Sequence, residues 1–139
     1  NDASLAIKAI QNGNVGIGTA IPDEKLTVKG KIHTQEVRVD MAGPLVPDFV
    51  FANDYKLKSL QEVEDFIKEN NHLPEIPSSQ EIEKNGLMLA EMNMSLLKKI
   101  EEMTLYMIEQ NKKINELEKQ NTKFTDLEKR LEKIEANSN

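Results

Sequence analysis

Residues 89–134 read LAEMNMSLLKKIEEMTLYMIEQNKKINELEKQNTKFTDLEKRLEKI, and this stretch decides the fold. Leu89, Asn93, Leu96, Ile100, Met103, Met107, Gln110, Ile114, Leu117, Asn121 and Phe124 recur at alternating steps of four and three residues. That is the 3.5-residue period of a coiled coil, in which each seam side chain needs a facing helix to complete its hole. After Phe124 one step shortens to three, and Leu127, Leu131 and Ile134 then resume the pattern. Such a stammer overwinds the supercoil locally without ending it. The stretch contains no Gly and no Pro. At ~1.5 Å per residue it makes a rod about 70 Å long. A helix of this length with an apolar stripe does not stand alone in water, so the pattern predicts an oligomer.

The number of strands follows from finer detail. Asn93, Gln110 and Asn121 set amides in the seam, a device that fixes register and partner number at some cost in stability. Arg130-Leu131-Glu132-Lys133-Ile134-Glu135 resembles the trimerisation signature of Arg, apolar, two free positions, apolar, Glu. Lys113 to Glu118 and Lys123 to Glu128 are relaxed copies with Lys for Arg. In the register set by the seam, each copy puts its cation at g, its apolar pair at a and d, and its Glu at e. The cation, Arg130 in the sharpest copy, can then reach a neighbour's carboxylate, Glu135, while its methylenes cover the edge of the core. The expectation is a parallel trimer.

Composition agrees with a rod that carries a small head. Of 139 residues, 38% are apolar, 4% are aromatic and none is Trp, so the ~90 residues upstream can bury only a modest core by themselves. Lys98 to Ala136 is charge-balanced, which puts the whole net charge of −6 upstream. An acidic head on a neutral rod argues against nucleic acid, which wants a basic stripe. No apolar run approaches the ~20 residues that span a bilayer. Cysteine is absent, so no disulfide framework or thiolate metal site exists. The chain opens on Asn1-Asp2 without Met, and is expected to be the C-terminal part of a longer protein.

Upstream of the rod, Ser4 to Ile10 alternates as a short strand, Asn12-Gly13 is a turn, and Val15 and Ile17 alternate with glycine. In a threefold stem those glycines would let three backbones approach. The Gly16-x-Gly18 pair is no phosphate loop, because no third Gly and no helix follow. Leu26, Val28 and Ile32, then Val37, Val39 and Met41, continue the period of two, and His33 falls on the polar face. Pro44 and Pro47 mark a boundary. Phe49, Val50, Phe51, Tyr55 and Leu57 are the expected core of the head. Ser59-Leu60-Gln61-Glu62 and Ser78-Ser79-Gln80-Glu81 are capping boxes that open two helices. The first carries Val63, Phe66 and Ile67 on one face, and the second stops at Gly86. His72-Leu73-Pro74-Glu75-Ile76-Pro77 joins them as an extended connector.

Several blocks together resemble the C-terminal region of tail-fibre-domain and surface-filament proteins of Bacteroidetes-type bacteria. They are Asn14 to Thr19, Lys25 to Ile32, Pro47 to Phe51, Asp54 to Leu57, Leu60 to Glu64, Ile67 to Asn70, His72 to Pro74, Ile76 to Ser78 and Glu91 to Asn93. The resemblance implies an extended trimeric fibre at a virion tail or cell surface, hence an extracellular protein, with no established catalytic activity. Some tail fibres end in a chaperone that cleaves itself through a Ser-Lys pair. The Ser-Asp-x-Arg-x-Lys entry of that family is missing here, and Ser95 and Lys98 lie close on a helix with nothing to desolvate the lysine.

Other chemistry finds little footing. His72 and Glu75 are three apart, but Pro74 between them prevents a helical ligand face, and two histidines leave few ligand sets for zinc. Asn53-Asp54 is too sparse for calcium. Glu62, Glu64, Asp65 and Glu69 read as a solvated acidic surface. Met92, Met94, Met103 and Met107 read as filling. No catalytic residue, cofactor or metal is assigned.

The sequence therefore predicts an α+β homotrimer: a β-rich stem over residues 1–43, a small α/β collar over 44–88 and a parallel coiled coil over 89–139. Its expected role is structural, trimerising and registering an extended surface or phage-type tail fibre, with itself as partner. One alternative is a fibre tip that binds a cell-surface glycan or protein receptor, which predicts exposed Phe49, Phe51 or Tyr55. Another is an intramolecular chaperone of fibre assembly, with or without self-cleavage.

Overall fold

The structure, a computed structural model, describes residues 6–40 and 46–137. The expected strand start at Ser4 and Leu5, the strand position Met41 and the boundary residue Pro44 lie outside these. The fold is α+β, with a small three-stranded sheet and a long C-terminal helix. The chain divides into two compact units, residues 1–40 and 41–139.

In the first unit, β1 (Ile7–Ala9) and β2 (Val15–Ile17) form an antiparallel hairpin, and β3 (Leu26–Val28) pairs parallel with β2. The hairpin turn uses Gly13 at φ 83°, with Asn14 N–H donating to Asn12 Oδ1 at 3.0 Å. A parallel neighbour ordinarily needs a crossover of a dozen or more residues. Here residues 18–25 return in one arch, held to the sheet by small polar contacts. Asn14 is buried and its Nδ2 donates to Pro22 O at 3.5 Å. Thr27 Oγ1 accepts from the backbone N–H groups of Asp23 and Glu24 and donates to Asp23 Oδ1 at 2.7 Å.

The arch also explains Gly16. A Cβ there would run into the carbonyl oxygen of Thr19 in the same chain. The need for glycine at that position is thus met within one chain, rather than by three backbones approaching. The register lines up Ile7, Ala9, Val15, Ile17, Leu26 and Val28 on one face. Among the described residues of this unit nothing layers over that face, and Ile7 and Leu26 are more than half exposed. Residues 29–40 form no strand, although Ile32, Val37 and Val39 keep the period of two. The pattern is there but no partner strand is among the described residues, and a strand without a partner has no ladder.

The second unit opens with a 3-10 helix, Pro47–Phe51, with Pro at its first position. Residues 46–88 contain helices and turns but no strand, in place of the expected α/β collar. In a 3-10 helix residues three apart share a face. Pro47 and Val50 therefore turn inward together and are fully buried, while Phe49 and Phe51 point out at 48% and 54% exposure. Of the expected core, Val50 is buried and Tyr55 and Leu57 are half-buried, whereas Phe49 and Phe51 lie outside and Pro47 takes their place. Among the described residues no other side chain is buried as completely.

Both capping boxes form as expected: Ser59 and Glu62 open α1 (Leu60–Asn70), and Ser78 and Glu81 open α2 (Ser79–Asn85). The glutamate of each box accepts from the backbone and hydroxyl of its serine, which holds its carboxyl below the usual range. α1 stops at Asn71 in the left-handed conformation, and Gly86 at φ 77° follows α2. α3 then runs unbroken from Leu89 to Ala136, 48 residues. At ~1.5 Å per residue it is about 70 Å long. The 3-10 helix packs against it.

Candidate oligomerisation surface

Every residue of the predicted seam lies on α3 and is exposed, from Leu89 through Asn93, Leu96, Ile100, Met103, Met107, Gln110, Ile114, Leu117, Asn121, Phe124, Leu127 and Leu131 to Ile134, with Arg130 and Glu135 beside it. The apolar ones are uncovered to a similar degree, from 43% at Leu96 to 69% at Leu89. The collar packs elsewhere on the same helix. Its half-buried contacts fall at Met94, Leu97, Lys98, Lys99, Glu102, Leu105 and Tyr106, and Glu101 is buried. In the heptad register set by the seam, these occupy b, c, e, f and g. None is at a or d. The collar therefore covers the back and flanks of α3 and leaves the seam side chains exposed, with Met103 bordering Val63, Leu73 and Pro74 of the collar.

A polar cluster fastens the collar there. Tyr55 Oη donates a short hydrogen bond to Glu102 Oε1. Lys99 Nζ reaches Glu102 Oε2 at 2.8 Å and Glu75 Oε2 at 2.9 Å, and Lys98 Nζ takes the other Glu75 oxygen at 2.8 Å. Lys98 also lies over the rings of Phe49 and Tyr55, 5.6 and 5.9 Å from their centroids. Tyr106 Oη donates to Lys58 O at 2.6 Å. Glu75 sits at φ 65°, a region non-glycine residues seldom occupy, and the two lysines hold its carboxylate in place.

The titration of the cluster follows from its geometry. Burial alone would raise Glu75, but hydrogen bonds from Lys98 and Lys99 outweigh it and the carboxyl is lowered. Burial would lower Lys99, yet Glu102 and Glu75 carry it upward. Burial, then the bond to Glu102, pushes the Tyr55 hydroxyl strongly up, and burial with the charge of Glu102 raises Tyr106. Next to this cluster, the buried Glu101 Oε2 has no hydrogen-bond partner among the described residues.

No protein-family model, curated protein or solved structure matches the chain.

The remaining candidate residues have local roles. His72 packs edge-on against Phe66 at 5.4 Å, and its Nδ1 lies 2.9 Å from Leu73 O. Glu75, three residues on, is taken by the lysines. Lys98, the lysine nearest Ser95, is held by Glu75 and the two rings. Glu62 caps α1, and Glu64 pairs with Lys68 at 2.6 Å. Met92 and Met94 are half-buried, whereas Met103 and Met107 are exposed in the seam. Among the described residues no helix is long and apolar enough to cross a membrane.

The docking cluster was not anticipated from sequence, although a signal for it exists. Off-seam apolar residues Met94, Leu97, Leu105 and Tyr106 crowd the first half of α3, while every off-seam residue from Lys112 to Lys123 is polar. Two apolar faces on one half of a helix mean two different coverings there.

Proposed function

We propose that this chain is a structural module that trimerises and registers an extended fibre, of surface-filament or phage-tail type, outside the cell. The observation that carries the reading is the division of labour on α3: the collar takes its back, and the a/d face stays exposed along the whole helix. The described core consists of little more than Val50 and Pro47, so the free energy of folding has to come largely from burial between copies. Three strands are favoured by the g-a-d-e arrangement of Arg130, Leu131, Ile134 and Glu135 and its two relaxed copies. Parallel packing is favoured because it brings each g cation beside a neighbour's e carboxylate. The apolar sheet face of the first unit, left open by the described residues of that unit, supports a stem in which copies supply each other's second layer.

Light scattering on the intact chain and on a form ending before Leu89 tests this. A mass of three chains that is lost on truncation supports it. A monomer at all concentrations overturns it, and a dimer overturns the threefold reading.

The exposure of Phe49 and Phe51 favours a second reading, in which the collar binds a glycan or receptor by stacking on these rings. Glycan-array binding that disappears in Phe49→Ala and Phe51→Ala, with the oligomer intact, would establish it.

A further inference from the structure

Leu60 and Ile108 are exposed apolar side chains that flank the seam without belonging to it. Leu60, the first residue of α1, is 51% exposed, and Ile108 on α3 is 47% exposed. Ile108 occupies heptad position b, between the e positions Thr104 and Asn111. Higher on the helix the b positions Met94 and Glu101 are covered by the collar, but at Ile108 that cover has ended.

Leu60 stands on the opposite flank. The bond from Tyr106 Oη to Lys58 O fixes the entry of α1 beside Tyr106, a g position. There Leu57, Leu60 and Glu62 face Tyr106, Gln110 and Lys113 across an open groove of about 830 Å³. The α3 side of the groove is drawn from d, g, c and f positions. The charged residues of the whole groove are three lysines and three glutamates, so it has no net charge with which to attract an ionic ligand.

In a parallel coiled coil the g flank of one helix lies against the e flank of the next, and b borders e as c borders g. A helix docked on this seam therefore brings its own e and b positions to the mouth of the groove. In register, its Ile108 stands two residues from the level of Tyr106, about 3 Å along the axis. We propose that Leu60 of each collar packs on Ile108 of the next subunit, so that every collar grips its own helix by the polar cluster and its neighbour's by this apolar contact. The inference rests on the parallel trimer proposed above and adds to it a direction: collars follow one another in a ring, each holding the helix on its g side. The occupant is a second copy of this chain because the groove opens onto the seam and its counterpart residue lies at the matching height.

The chain has no cysteine, so thiols can be introduced singly and in pairs. Leu60→Cys/Ile108→Cys, treated with a short bis-maleimide, is expected to give a covalent trimer on denaturing gels, with neither single variant doing so. Asp65→Cys/Ile108→Cys is the control pair. Light scattering on the same samples reports the assembly independently. A trimer by mass that the 60–108 pair links no better than the control overturns the contact and leaves the trimer standing. Linkage confined to monomers also overturns it, since Leu60 would then meet Ile108 of its own chain. A monomer or dimer by mass overturns both readings.

Discussion

Replacing Ile114 and Leu117 together by alanine separates a helix that is merely long from one whose seam is buried. Both side chains are about half exposed in the single chain, at 54% and 51%, and both lie beyond the residues the collar covers. If the chain worked alone, trimming them would act on solvent-facing positions, where substitutions move stability by no more than about 0.5 kcal/mol. In a trimer each position recurs three times around the axis and is enclosed. Taking about 2 kcal/mol per side chain, the low end for Leu or Ile to Ala because half of each is already covered, two layers come to about 12 kcal/mol per trimer. At about 1.4 kcal/mol per tenfold, that is between eight and nine decades in the trimer dissociation constant. Because three chains associate, the midpoint concentration moves by half as many, about four decades. Sedimentation equilibrium over a wide concentration range, with circular dichroism on the same samples, reads the shift. Lys119→Ala, at an outward f position, should leave the midpoint unchanged. An unaltered mass and melting curve in I114A/L117A would refute the argument that this seam holds the molecule together.

The docking cluster gives a pH dependence that tyrosine fluorescence can follow, since Tyr55 and Tyr106 are the chain's two tyrosines and Trp is absent. Glu75, Glu62 and Glu81 are lowered in the folded chain, so their contribution is present above the ordinary glutamate value of 4.5 and is lost as pH falls through their lowered values. Lys99 and both tyrosines are raised, so their contribution is complete below the ordinary tyrosine value of 10.0 and disappears as pH climbs beyond it. Collar docking should therefore be strongest between these limits, and a flat profile would contradict the cluster. Ser59→Ala and Ser78→Ala should each cost about 1 kcal/mol in urea unfolding monitored by fluorescence, the usual worth of a helix cap. Gly16→Ala should open the arch over the sheet, seen as new proteolytic cleavage within residues 6–40 with the helical dichroism unchanged. Glu101→Met should stabilise by about 1 kcal/mol, because it removes a buried carboxylate oxygen that lacks a partner. A lower melting temperature in that variant would show that the carboxylate is satisfied on assembly.

Local rules were readable wherever one residue type answers one backbone need. Both capping boxes, the Asn12-Gly13 turn, the stop at Gly86 and the unbroken α3 all follow from nearest-neighbour chemistry, and all are present. Pro47 to Phe51 shows where such reading fails. Phe49 and Phe51 are bulky apolar side chains and so expected in the core of the head, but Pro at the first position and the turn of three residues place Val50 inside and both rings outside. Hydrophobicity ranked the side chains, and backbone geometry decided which were buried. The glycine spacing at Gly16 suggests room for a neighbouring chain, whereas its own chain fills that room through Thr19.

For the surface of α3, the periodicity of the amino acids alone determined which side chains form the a/d face, because a helix fixes their angular spacing whatever surrounds it. What covers the other faces depends on contacts between residues 23 to 48 positions apart: Glu75 with Lys98 and Lys99, Tyr55 with Glu102, and Lys58 with Tyr106. No period in the sequence encodes such pairings, since they arise only when the collar folds back on the helix. Their position on the back of α3, and so the freedom of its front, was decided by tertiary structure.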